Sequence, residues 1–204
     1  MRLIGKDGTF RDIHVEQIAE EAEISRATLF NYFSQKEDVM IYAFEVWNFQ
    51  RMVEQRLNAK SGVQAIRHLF LKGAETYNQS RGLALSVVSL IANIRRRPKK
   101  TTLGYAERAQ LYPEIPWVSE IEVTSLYTMF KQHIDEAREK KEMVTKLTTR
   151  EIARLLESAW FGVLLTAHIH NSNVYELSCE HLRTILAALG VPKDIIEKNE
   201  TTTV

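Results

Sequence analysis

Arg26, Ala27, Phe30 and Asn31 share one side of a short helical segment, while Leu29 and Phe33, four residues apart, point another way. A guanidinium fork, a methyl, an aromatic ring and a carboxamide on one strip can hydrogen-bond base edges and touch thymine methyls. That chemistry requires an element narrow enough to carry the strip into a groove. Upstream, Val15, Ile18, Ala19 and Ala22 recur at i, i+3, i+4 and i+7, the apolar face of a preceding helix. Ile24 serves as the apolar plug of the turn, and Ser25 is a favourable N-cap for the segment that follows. Two short helices joined by a tight turn, the second displaying polar and aromatic side chains, read as a helix-turn-helix for a major groove.

Over about residues 3 to 40 this stretch resembles the DNA-binding segment of the tetracycline-repressor (TetR) family of bacterial transcriptional regulators. The matching residues are Phe10, Val15, Ile18, Ala19, Ala22, Ser25, Thr28, Leu29, Phe30, Tyr32, Phe33, Lys36 and Glu37. The resemblance implies an all-α chain with a helix-turn-helix domain at about 1–45 and a larger helical-bundle ligand-binding and dimerisation domain at 46–204. It implies that Ser25, Arg26, Ala27, Thr28 and Asn31 belong to the DNA-reading surface, with Arg26 on a guanine edge and Ala27 on a thymine methyl. Phe30 stands where tyrosine is frequent, so it can meet a thymine methyl but cannot donate to a phosphate. Tyr32 keeps a hydroxyl for a phosphate, and Lys36 adds a cation beside free backbone amides. His14 occupies a capping position and either touches a phosphate or stays solvated. Glu23 stands where glycine is common, which strains the turn and sets a negative charge near the DNA-facing side. In the family another helix precedes this motif. Here only its last turn, residues 2–5, with Lys6-Asp7-Gly8 as its exit, is expected, so the first helix is largely missing.

Bulk composition leaves this reading open without adding to it. The 204 residues are 45% hydrophobic with a net charge of +1. No stretch reaches about 20 uncharged apolar residues, so neither a membrane span nor a membrane partner is expected. There is no secretory leader pattern, and the lone Cys179 excludes an internal disulfide and fits a reducing cytoplasm. Residues 1–40 hold five basic and eight acidic side chains. DNA affinity must then come from a few placed contacts, helix N-termini and dimer avidity rather than bulk charge.

The remaining chain reads as helices. Ser34 and Glu37 form a capping box that opens a helix to about Leu57. Further helices are expected over about 63–79, 82–96, 118–142, 149–171 and 174–189, the 82–96 helix central and buried. A short helix and a proline-fixed loop lie between 101 and 117, and Gly190 then Pro192 stop the last helix. Arg95 to Lys100 form a basic break, either a solvated loop completing a helix end or a contact for an acidic ligand. The two amphipathic helices over 149–189 match the family's four-helix dimer interface, and a two-fold reader of half-sites needs one.

The family binds small effectors in its larger domain. Candidate liners are Phe70, Tyr77, Trp117, Tyr127, Phe130, His133, Trp160 and Phe161, though aromatics at helical spacing are more often plain core packing. His168 and His170 diverge on a helix and lack further ligands at metal spacing, so no metal or cofactor is expected. No nucleophile elbow, glycine-rich phosphate loop or paired catalytic carboxylates occur, so no enzyme activity is expected. The expected role is a homodimeric, effector-released transcriptional repressor acting on operator DNA in the cytoplasm. The alternatives are a dimeric ligand-binding or protein-interaction module that has lost DNA binding, and a helical-bundle enzyme.

Overall fold

The structure is a computed structural model that describes residues 8–93 and 103–201, with side chains through 197. The expected turn of helix at 2–5, most of the Lys6-Asp7-Gly8 exit and the basic break at 95–100 lie outside the described residues. Those described are helical or irregular and contain no strand. The chain divides into two compact units, Met1–Phe49 with Thr76–Val123 and Gln50–Glu75 with Thr124–Val204.

In the first unit a 3-10 turn at Phe10–Asp12 leads into α1 (Val15–Glu21) and α2 (Arg26–Tyr32). Gln17 Oε1 accepts the His14 amide at 2.7 Å and opens α1. α1 ends in a Schellman motif: Glu23 N–H donates to Glu20 O at 3.0 Å and Ile24 N–H to Ala19 O at 2.9 Å. The motif requires a left-handed residue, and Glu23 supplies it at φ +55°. Ser25 Oγ accepts the Thr28 amide at 3.0 Å, so the serine cap forms as its residue type predicts. Phe10, Ile13 and Met40 make the small core, with Ile18 and Val39 packed against it. Leu83, Val87 and Leu90 of α5 (Arg81–Asn93) close that core. Ser86 Oγ accepts the Phe10 amide at 2.9 Å.

α5 is less buried than its composition suggests. Only Gly82 and Ala84 are buried, and Ile91 is exposed. One face of the helix is used on the small core, and its apolar residues on the other sides stay half-covered. α3 (Lys36–Leu57) begins one residue later than the Ser34/Glu37 box implies. Asp38, not Glu37, accepts the amide of Gln35 at 3.1 Å, and the Gln35 carboxamide donates to the same carboxylate at 3.2 Å. α4 spans Val63–Gln79, as its periodicity predicts. α6 (Tyr105–Leu111) is opened by Glu107, whose carboxylate accepts the Gly104 amide at 2.6 Å and the Tyr42 hydroxyl at 3.0 Å. Burial, then that hydrogen bond, push the Tyr42 phenol up to about 12.

The second unit holds α7 (Leu126–Glu139), α8 (Thr149–His170), α9 (Val174–Ala188) and α10 (Lys193–Thr201). The expected helix over 118–142 is shorter at its start. Pro116 initiates a 3-10 turn to Glu120, and Ser125 then caps α7, which leaves Val123 outside it. Thr148 and Glu151 form the capping box of α8, and Asn173 caps α9. α10 is a helix the sequence reading missed. Pro192, read as a stop, gives its carbonyl to the amides of Ile195 and Ile196, so it opens a helix as well as ending one. Gly190 is needed twice over: its φ is +73°, and a Cβ there would lie 2.3 Å from Val144 O. By length and composition α8 could cross a membrane. Its Ile152, Leu156, Val163 and Leu164 are buried within the fold, the setting of a core helix.

Candidate functional site

α2 has seven residues, too few to persist alone in water, so its conformation depends on the Ser25 cap and on Leu29, which is buried. Everything on the opposite side is open. Arg26, Ala27, Phe30, Asn31 and Tyr32 are exposed, Tyr32 to 72%. His14 and Ser25 are exposed at the two helix starts, and Thr28 is half-buried with its hydroxyl 2.8 Å from Ser25 Oγ. Arg26 extends over the Phe30 ring at 5.6 Å and pairs with Glu16 at 2.8 Å. An exposed pair of this kind is worth about 0–1 kcal/mol, so a guanine or phosphate can take the guanidinium from Glu16.

Lys36 is placed differently. Its ammonium donates to the carbonyls of Phe10 (3.0 Å), Arg11 (3.2 Å) and Ile13 (2.8 Å) and sits 4.9 Å from the Phe10 ring. All three of its donors are therefore engaged within the chain, where they cap the 3-10 turn. The Phe33 ring packs edge-on to Tyr42 at 5.7 Å, which joins the end of α2 to α3.

The eight aromatic and histidine candidates for an effector site are divided between the two units. Tyr77 and Trp117 belong to the first unit, with Tyr77 buried beneath the Arg81 guanidinium at 5.8 Å and Trp117 half-buried in the Pro116–Glu120 turn. The other six belong to the second. Phe70 and Phe130 are buried with ring centroids 6.0 Å apart. Trp160 donates its indole N–H to Leu69 O at 3.0 Å, stands edge-on to half-buried Phe161, and fills the space beside Gly73. Tyr127 is half-buried on α7.

His133 is buried with both ring nitrogens engaged, Nδ1 2.9 Å from Glu136 Oε2 and Nε2 3.0 Å from Gln55 Oε1. Burial pulls its pKa down, and the Glu136 carboxylate opposes this without cancelling it. A second buried imidazole, His68, lies between Glu54 Oε2 at 2.9 Å and Lys60 Nζ at 3.2 Å and is likewise held low by burial. Burial pushes the Glu54 carboxyl up, but the His68 hydrogen bond and the Arg51 and Lys72 charges leave it below its ordinary value. Among the described residues no cluster of three or more metal-ligating side chains occurs.

Sequence reasoning passed over Asn48, Ser80 and Arg108, which carry buried polar atoms with no hydrogen-bond partner. The one signal for them was a carboxamide inside the apolar run Val46-Trp47-Asn48-Phe49.

The family model described as bacterial regulatory proteins, tetR family, matches residues 1–43. No curated protein matches the chain. Two solved structures share its fold. One is a transcriptional regulator FadR from Bacillus subtilis in complex with stearoyl-CoA, 17% identical, covering 91% of this chain and 92% of that one with a TM-score of 0.58. The other is the fatty acid degradation regulator FadR from Bacillus halodurans, 15% identical, covering 87% and 89% with a TM-score of 0.56. The helix-turn-helix is built as the motif requires, and it is in this N-terminal segment that the chain is similar to the tetR family of bacterial regulatory proteins.

Proposed function

We propose that this protein is a transcriptional repressor that binds operator DNA as a homodimer and is released by an effector with a long apolar acyl chain. The observation that carries the reading is the α2 strip, five exposed side chains of base- and phosphate-binding type on a helix capped by Ser25 and anchored by Leu29. In this reading Arg26, Ala27, Thr28, Phe30 and Asn31 meet bases, and His14, Ser25 and Tyr32 meet the backbone. Lys36 acts indirectly, by holding the Phe10–Ile13 turn. Support for the dimer comes from α8, where Leu155, Leu165 and Ile169 are exposed and Gly162 has open space beside it. These residues follow one line along the helix, the apolar stripe that a second copy would cover. Support for the acyl effector is the shared fold with a regulator crystallised with stearoyl-CoA.

The test is fluorescence anisotropy of a labelled promoter fragment from beside the protein's own gene, titrated with the full-length chain with and without stearoyl-CoA. Salt-sensitive, sequence-specific binding that stearoyl-CoA reverses is expected, and Arg26→Ala should cost about 1–3 kcal/mol and relax base preference. Equal, weak affinity for every fragment would favour a ligand-binding module that no longer reads DNA. The engaged Lys36 and the acidic excess of residues 1–40 make that the second reading.

A further inference from the structure

α3 ends in a second Schellman motif. The Ala59 amide donates to Arg56 O at 3.3 Å and the Lys60 amide to Gln55 O at 2.8 Å, with Ala59 at φ +48°. The motif fixes the backbone of Lys60 at the corner between α3 and α4, where its side chain is half-buried. Its Nζ lies 3.2 Å from Nδ1 of His68 on α4. His68 Nε2 in turn lies 2.9 Å from Glu54 Oε2 on α3, and Arg51 pairs with the other carboxylate oxygen at 2.5 Å. All four residues belong to the second unit.

These contacts set where the protons sit. Glu54 is held ionised and can only accept, so His68 carries its proton on Nε2 and presents the Nδ1 lone pair to the Lys60 amine. Burial, with the Lys60 and Arg51 charges, keeps the imidazole neutral against the pull of the Glu54 carboxylate. Burial first and the Lys72 charge second draw the Lys60 amine below the ordinary lysine range, and Glu54 opposes them without cancelling them. An amine, an imidazole and a carboxylate in this order, each within hydrogen-bond reach of the next, are the nucleophile, base and orienting group of acyl transfer.

We propose that Lys60 is an acylation site, whose Nζ takes the acyl group of an acyl thioester with His68 as the base and Glu54 as a positioning residue. The ammonium first gives one proton to solvent. The free amine attacks the thioester carbonyl carbon, and Nδ1 of His68 takes a second amine proton as the C–N bond forms. The C–S bond breaks, and the leaving thiolate takes that proton back from the imidazolium. The products are a lysine amide and a thiol, with nothing oxidised or reduced. A thiol of pKa about 8.5 is a good leaving group, so the donor needs no further activation. The inference goes beyond the effector reading, because it requires neither DNA nor a pocket for a long acyl chain.

The test incubates the full-length protein with S-acetyl-N-acetylcysteamine and follows acetylation of each lysine by peptide mass spectrometry from about pH 6.5 to 9.5. In the wild type Lys60 should react about tenfold faster than exposed Lys131 at neutral pH, and its rate should level off at a lower pH. His68→Gln should remove that advantage and leave the Lys131 rate unchanged. Glu54→Gln separates positioning from charge. Loss of the carboxylate frees more of the amine from its proton, which alone would speed acylation, whereas loss of the group that orients the imidazole slows it. A fall of about threefold or more is expected, with an unchanged Lys131 rate reporting an intact fold. Lys60 reacting no faster than Lys131 in the wild type overturns the site whether or not any variant folds. An advantage that survives His68→Gln, or a Lys60 rate that holds or rises in Glu54→Gln, overturns the proposed chain of groups. These results leave the effector reading standing, and failure to bind stearoyl-CoA would leave Lys60 untouched.

Discussion

Replacing Glu23 with glycine should stabilise the protein, and the size of the gain can be worked from the backbone. Glu23 holds φ +55° at the left-handed position of the Schellman motif that ends α1. A side chain there costs about 1–2 kcal/mol, and glycine returns about 0.5–1 kcal/mol of that as extra freedom in the unfolded chain. The net gain is about 0.5–1 kcal/mol, or about 1–4 °C in a chain of this size. Two further variants separate backbone from charge. Glu23→Asn keeps an αL-tolerant residue without the carboxylate, and Glu23→Ala removes the carboxylate but keeps the strained Cβ. Calorimetric melting should rank glycine and asparagine above alanine, with alanine near the wild type. All three should bind promoter DNA more tightly by a similar factor, because each removes the same negative charge beside the reading helix. If alanine gains as much stability as glycine, the strain argument fails and the carboxylate was the destabilising element.

Lys36→Met should lower protection of the 10–13 backbone amides in hydrogen exchange while leaving the salt slope of DNA binding unchanged, since its donors cap carbonyls within the chain. A slope that falls by about one would return Lys36 to the phosphate contacts. Gly73→Ala would set a Cβ 2.7 Å from the Trp160 indole and should cost about 1–3 kcal/mol in chemical denaturation, with a shift in tryptophan emission. Stability should also fall in acid in two phases. Burial depresses the pKa values of His68 and His133, so below about 6.5 the unfolded chain takes up protons that the folded one refuses. That contribution is complete above 6.5 and is lost as pH falls toward the depressed folded values. Glu54 and Glu136 are also held below 4.5, and their contribution is lost in turn below that value. Urea titrations across pH 4–8 should show the first phase abolished in a His68→Gln, His133→Gln double variant.

Helices whose apolar stripe and caps agree were legible from sequence. α4, α8 and α9 begin and end within a residue or so of their expected bounds, because Thr148, Asn173 and Gly190 mark the same limits as the periodicity. Where two signals compete, spacing alone misleads. Val123 continues the stripe of α7, yet Ser125 offers a cap and Pro116 had already committed the chain to a tighter turn. Pro192 was read for the hydrogen bond it cannot donate, whereas its carbonyl opens α10.

The helix-turn-helix was legible for a further reason: each residue there has one local task. Ser25 caps, Leu29 anchors, Ile24 closes the turn, and each task is satisfied within a few residues along the chain. Long side chains escape this kind of reading, because their ends lie far from their own backbone. Lys36 sits in the first turn of α3, where an ammonium ordinarily faces solvent or phosphate, but its four-carbon stem reaches a turn 23 to 26 residues earlier and finds three carbonyls. Asn48 is the opposite case. Trp47 and Phe49 on either side of it are apolar, so its type looks like an error in the pattern. Only the fold shows that the side chain is buried with its Oδ1 unbonded. A polar residue that breaks a helical stripe is therefore informative in proportion to how completely the fold buries it, and that quantity belongs to the tertiary structure.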